Sequence, residues 1–234
     1  MGHTRGVGST SRLVLAASEG CYDAARAAAL SGVPRTTVYY WARHEVVVPS
    51  VSPVREMLWS YADLMALRIV SWLRHPKSDG EALLPASPMP QVRRALAELD
   101  RRGLEPWNPE HINRSPLLVD RSGKIHIRDA DDVTDLTGQA PISPDLLDLL
   151  GPFEHAGGNG PDLVAPRQHL RIVPARVAGE PHVVASRLTT QSLAALAARG
   201  MTSEKIAGLY DVDLIAVEEA IDLERQLTGS TIAA

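Results

Sequence analysis

Arg35, Thr36, Tyr39 and Tyr40 sit close together in the stretch from Asp23 to His44, DAARAAALSGVPRTTVYYWARH. A guanidinium, a hydroxyl and two phenols can meet phosphate oxygens and base edges, provided one rigid element presents them together. No comparable set points to catalysis. The eight histidines, His3, His44, His75, His111, His126, His155, His169 and His182, are scattered, and none pairs at the helical spacing of a zinc protease. There is no Gly-x-Ser-x-Gly elbow. Asp129, Asp131, Asp132 and Asp135 cluster but lack the glycine-bearing spacing of a calcium loop, so a solvated, capped loop is expected there. The GGNG of the 153–162 stretch follows no strand and precedes no Lys-Ser/Thr pair, which argues against a phosphate cradle. The reading is therefore of a binding protein with no enzymatic site, metal or cofactor.

The elements that must position the four residues are a helix, a tight turn and a second helix. Asp23 to Leu30 is mostly alanine, which favours helix and permits close approach of another. Gly32 can adopt the left-handed conformation the turn needs, and Pro34 suits the first turn of the next helix, predicted to run to about His44. Ala28, Gly32, Val38 and Trp41 then stand at offsets that pack two helices as a helix-turn-helix. The second helix is left to present Arg35, Thr36, Tyr39 and Tyr40 to a major groove. Tyr39, Tyr40 and Trp41 also read as a stacking platform for single strands, but consecutive helical residues point apart, which assigns Trp41 to the core.

Downstream, the β-branched run Val46 to Val48 ends at Pro49, and Met57 to Trp59 is predicted to return antiparallel to it as a small wing. Ser60 and Asp63 have capping-box spacing ahead of a helix from Tyr61 to about Arg74. That helix is apolar around most of its circumference, and so is expected to be buried on two sides or by a partner subunit. A fourth helix, Pro90 to Arg102, stops at Gly103, and its stripe Val92, Ala95, Leu96, Leu99 is one core face and no heptad seam. This order, with TVYYWAR and WSYADLMALRIVSWLR as its core, resembles the DNA-binding domain of the MerR family over about residues 22 to 103. The resemblance implies that Arg35, Thr36, Tyr39 and Tyr40 lie on the recognition helix and that Arg43 and the wing residue Arg55 reach phosphates. The long dimerisation helix and effector pocket of that family do not follow, so drug or metal sensing is not carried over.

In the remainder, Leu117 to Val119 and Lys124 to Ile127 flank Asp120-Arg121-Ser122-Gly123 as a hairpin. SPDLLDLL, Ser143 to Leu150, reads as a capped short helix. Leu170 to Val173 and His182 to Ala185 are strand candidates around Gly179-Glu180-Pro181. Helices follow near Gln191 to Ala198, Ser203 to Tyr210 and Asp213 to Leu227, with Ile206, Leu209, Leu214, Val217 and Ile221 as core. This segment, with Gly179, Pro181, Arg187, Gly200, Met201 and Ile206 at matching places, resembles over residues 169 to 227 a small bacterial family. Many of its members look like VapB-type antitoxins of type II toxin–antitoxin systems, partnered with PIN-domain ribonucleases. Ser186 replaces the usual threonine. The resemblance implies a toxin-binding role, and since a PIN nuclease holds a carboxylate cluster, Arg187, Arg199 and Arg225 are the candidates to enter it. The last helix would offer Asp213, Glu218, Glu219, Asp222 and Glu224 to a groove, which opposes DNA binding by this second helix-turn-helix.

Charge divides the same way. Residues 1–103 carry 13 Lys+Arg against 9 Asp+Glu, and residues 104–234 carry 11 against 19. A basic half suits a phosphate backbone and an acidic half suits a protein partner. One cysteine, Cys21, excludes an intrachain disulfide framework, and no apolar run approaches a membrane span, so a cytoplasmic protein is expected. The expected fold is mainly α: a flexible arm (1–12), with Arg5 and Arg12 as a weak minor-groove motif; a MerR-like winged helix-turn-helix domain (13–103); a hairpin connector (104–152); a linker (153–162); and a helical carboxy-terminal domain with short strands (163–234). The expected function is a homodimeric antitoxin that binds its own promoter DNA and a PIN-domain ribonuclease. The competing expectation is a stand-alone regulator without a toxin.

Overall fold

The computed structural model describes residues 19–79, 82–104, 116–130, 132–140, 146–148 and 160–232. The expected arm at 1–12, the residues Leu13 to Ala17, Asp131 and most of the expected linker lie outside them. The described chain is mainly helical, with three small antiparallel sheets.

Helix α1, Ala24–Ser31, starts where the Asp23 carboxylate accepts the Arg26 N–H, and it ends at Gly32, whose φ of 72° reverses the chain. Helix α2, Arg35–Arg43, follows Pro34 directly. Helix α3, Tyr61–Arg74, opens on the expected capping box, with Ser60 Oγ accepting from the Asp63 N–H and Asp63 accepting from the Ser60 N–H. The same Asp63 oxygen accepts from the Ser50 N–H and hydroxyl, both at 2.8 Å, so the cap also fixes the loop before it. A short hairpin, β1 (Lys77–Asp79) and β2 (Ala82–Leu84), leads to α4, Met89–Arg102, which ends at Gly103 with φ 65°. Its buried stripe is Val92, Ala95 and Leu99, while Leu96, expected in the same stripe, is only partly buried.

The wing differs from its expected form. Val46 and Val47 are buried in the core, and Ser52 pairs with Leu58 through two backbone hydrogen bonds of 3.1 and 2.9 Å. Trp59 pairs instead with Tyr22. The valines are drawn inward because the chain turns back at once, with the Val46 N–H donating to the Trp41 carbonyl. Their β propensity therefore yields to burial.

A four-stranded sheet follows in the order β5–β4–β3–β6, formed by β3 (Leu117–Asp120), β4 (Ile125–Asp129), β5 (Asp132–Asp135) and β6 (Leu146–Asp148). The hairpin turn needs glycine at 123, where φ is 80° and a Cβ would come within 2.9 Å of the Pro85 carbonyl oxygen. Two expectations are corrected here. Leu146 to Asp148, expected as helix, pairs antiparallel with β3, because a buried apolar strand edge outcompetes so short a helix. Of the aspartates expected in a solvated loop, Asp129 and Asp132 are exposed at the end of β4 and the start of β5, but Asp135 is buried at the end of β5, bound by Lys124 at 2.5 Å and by the Thr137 and Gln139 N–H groups.

Strands β7 (Leu170–Arg171) and β8 (His182–Val183) pair antiparallel, as expected, and lead to α5 (Thr190–Ala198), α6 (Ser203–Tyr210) and α7 (Leu214–Ile232). The tail after Arg225 continues as helix. One apolar interior runs from Tyr22 and Leu30 through the α3 leucines to Leu193, Val217 and Leu227. Leu209 and Leu214, expected in that core, are 61% and 37% exposed.

Candidate nucleic-acid interface

Helix α2 turns Val38, Trp41 and Ala42 inward and leaves Arg35, Thr36, Tyr40 and Arg43 exposed. Positions 36, 40 and 43 lie four and three residues apart, which aligns them on one outer stripe. Tyr39 is only half outward. Its ring packs edge-on against Trp59, with ring centroids 6.2 Å apart at 76°, while the Arg35 guanidinium carbon lies 5.7 Å from the Tyr39 ring centroid. Tyr39 thus braces the helix and orients Arg35. Tyr40, 57% exposed, rests on the His44 ring at 4.2 Å.

The first turn of α2 has no side-chain cap and no acidic residue, which leaves its positive end unmet, whereas Arg43 sits in the last turn beside the carbonyl end. Arg55 is exposed near the tip of the Ser52–Leu58 turn, with φ 61°. The turn is tied to α2 at its base, because Trp59 follows Leu58 and carries the Tyr39 contact. Sequence reasoning missed a further cation. Arg93, exposed on α4, donates to the His44 carbonyl at 2.8 Å and so stands beside the end of α2. Its signal was the polar side of the α4 stripe, with Arg93 and Arg94 directly after the buried Val92. The surface of α2 is therefore cationic and hydroxyl-bearing on a rigid support, the arrangement that can grip phosphates and read base edges.

That support includes the carboxy-terminal segment. Arg26, 8% exposed on α1, donates Nε to Glu180 at 2.9 Å and both Nη atoms to Glu224 at 2.9 and 2.8 Å. Thr190 Oγ1 donates to the same Glu224 carboxylate. Burial pushes the Glu180 carboxyl above its ordinary range, opposed by Arg26, which itself is held charged by the two carboxylates against its desolvation. The Tyr22 hydroxyl donates to the Gly179 carbonyl at 2.7 Å, and the Tyr61 hydroxyl to the Leu163 carbonyl at 2.6 Å. Arg68, buried in α3 and lowered to about 10 by desolvation, donates to the Leu30 and Ser31 carbonyls at the end of α1. The Arg26 and Arg68 bonds meet on α1, the helix against which α2 packs, and the Tyr22 bond holds the chain just before it.

The same bonds correct the expected acidic face of the last helix. Glu224 binds Arg26; Glu219 accepts the His169 backbone N–H at 2.8 Å and faces its ring at 3.1 Å; Asp222 holds Arg167 at 2.9 Å. Three of the five carboxylates expected to face a groove are thus engaged within the chain. Arg187, Arg199 and Arg225 are all exposed. Arg187 precedes α5, Arg199 caps its carboxy-terminal end, and Arg225 is on α7, in a surface groove with Ala194, Ala197 and Ala198 of α5. Among the described residues no group of three or more His, Cys, Asp or Glu side chains is placed to hold a metal ion, and no helix is long and apolar enough to cross a membrane.

Compared with known proteins, the chain matches no family model and no curated protein. Among solved structures it is similar to Rv2018 from Mycobacterium tuberculosis, with 14% identity and a TM-score of 0.46, over 86% of this chain and 96% of that one. A likeness of that size carries no argument about function.

Proposed function

We propose that this chain is a DNA-binding antitoxin. In this reading α1 and α2 are a MerR-like helix-turn-helix, the Ser52–Leu58 turn is its wing, and a homodimer binds operator half-sites about one helical turn apart. The observation that carries the DNA-binding part is the outward stripe of α2, with Arg35, Thr36, Tyr40 and Arg43 in water and Val38, Trp41 and Ala42 beneath. A solvent-facing stripe of this composition meets the needs of a polyanion. The antitoxin part rests on the sequence resemblance of residues 169 to 227 and on the acidic balance of the second half. The partner is then a PIN-domain ribonuclease.

The test is a binding measurement of the full chain on its own promoter, together with copurification of the product of the adjacent gene. Specific binding that weakens with salt, and a stoichiometric partner whose ribonuclease activity is suppressed, are the expected outcomes. A lone homodimer that binds the promoter would leave the plain regulator in its place. Absence of specific binding would remove both.

A further inference from the structure

The corner where α6 meets α7 carries a surface that the fold does not use. Leu209 and Ile215 are 61% and 56% exposed, Tyr210 is 40% exposed and Leu214 is 37% exposed. All four lie within seven residues, on either side of the turn at Asp211, while Ile206, Ala207, Ala216 and Val217 face inward from the same two helices. Single exposed leucines are ordinary, but four large apolar side chains at one corner are not.

Charge limits what can cover this corner. Glu204, Asp211, Asp213 and Glu218 are exposed around it, with Lys205 as the nearby cation. Further along α7 the carboxylates of Glu219, Asp222 and Glu224 are consumed by His169, Arg167 and Arg26, yet among the described residues no ion pair neutralises Asp211, Asp213 or Glu218. The uncompensated charge is therefore concentrated beside the apolar group. A second copy docking about a two-fold axis would set this carboxylate rim against itself. A nucleic acid would be repelled for the same reason.

We propose that the α6–α7 corner is the docking surface for a different protein, one that presents an apolar centre within a rim of lysines and arginines. The inference rests on the antitoxin reading, in which that protein is the toxin, and it moves the main contact away from Arg187, Arg199 and Arg225. Leu209 and Ile215 are the anchors, and Asp213 and Glu218 steer the encounter and set its salt dependence.

The experiment measures binding of the purified full-length chain to the product of the adjacent gene, for the wild type, for Leu209→Asp with Ile215→Asp, and for Asp213→Lys with Glu218→Lys. Sedimentation velocity of the chain alone and its melting temperature are recorded for each. The apolar pair of substitutions should weaken binding by roughly tenfold or more, with melting and promoter binding retained, because both side chains already face water. The charge pair should weaken it less and flatten its dependence on salt. Binding unchanged in both variants overturns the docking surface and leaves the antitoxin reading standing. A wild-type chain that binds no such product overturns both. Conversion of a dimer to a monomer by the apolar substitutions assigns the corner to a second copy and overturns the proposal as well.

Discussion

The chain builds two corners in which a tight turn joins consecutive helices, and the two leave different residues outside. At α1–α2 the reversal is made by Gly32 at φ 72°, and at α6–α7 by Asp211 at φ 53°, both in the left-handed region. The first corner shows solvent Arg35, Thr36, Tyr40 and Arg43; the second shows it Leu209, Tyr210, Ile215 and carboxylates. The helix ends differ too. Helix α2 begins at Pro34 without a side-chain cap, whereas α6 begins at Thr202, which accepts the Lys205 N–H and is followed by Glu204. A tight turn between helices fixes only the angle at which two faces are offered. What each corner can bind is decided by the residues left outside.

The largest test of the comparison concerns whether the two corners belong to one body. Arg26 lies on α1, and its partners Glu180 and Glu224 come from the turn before β8 and from α7. Arg26→Met leaves two carboxylates buried together without a cation, and a loss of about 3–5 kcal/mol is expected in denaturant unfolding. Replacing all three, Arg26→Met with Glu180→Leu and Glu224→Met, should recover most of that loss, since the desolvation cost disappears with the charges. Full stability in the single substitution would mean that the corners are held together by the apolar interior and the Tyr22–Gly179 and Tyr61–Leu163 hydrogen bonds without help from Arg26.

Next in size is the functional contrast. Arg35→Ala or Arg43→Ala should cost about 1–3 kcal/mol of promoter affinity if the lost contact is a bidentate base pair, and should reduce the salt slope by about one if it is a phosphate. Lys205→Ala at the second corner should change neither. Equal losses at both corners, measured in one titration series, would end the division of labour.

Much of the fold was legible in the sequence. Gly32, Gly103, the Ser60–Asp63 box and the α4 stripe mark their elements by local rules, and each stands where those rules put it. Failures came where a distant partner decided. Val46 and Val47 look like a strand until the core claims them, and Leu146 to Asp148 look like a helix until β3 offers an edge. The role of Arg26 could not be read locally either, because its partners are 154 and 198 residues away. Leu209 and Leu214 failed for the opposite reason: their apolar spacing is that of a core face, and nothing in the described chain covers them.

A finer contrast lies within α2 itself, between adjacent tyrosines. Tyr39→Ala removes the edge-on contact with Trp59, worth about 0.5–1.5 kcal/mol beyond its buried area, and should lower stability and DNA affinity together. Tyr40→Ala should lower affinity with melting nearly unchanged, since more than half of that side chain is in water. Thermal unfolding and promoter binding of the two variants, measured side by side, separate brace from contact. If Tyr40→Ala destabilises the fold as much as Tyr39→Ala does, its packing on His44 is structural and the outward stripe is narrower than proposed.

The smallest expected effect is at the start of α6. Thr202→Ala removes the oxygen that meets the Lys205 N–H, at a cost of about 1 kcal/mol, a typical value for a lost N-cap. The same hydroxyl and the Glu204 backbone N–H hold the Glu204 carboxyl below its ordinary range, so the substitution should also let that pKa rise toward it. Promoter binding should not move, because α6 already turns a negative first turn to solvent and has no phosphate to lose. Helix α2 is the opposite case, with no side-chain cap for its first N–H groups beside Arg35 and no acidic residue in its first turn. A change in DNA affinity on removing the Thr202 cap would place the α6 end against the duplex, and the two corners would then have to be read as parts of one surface.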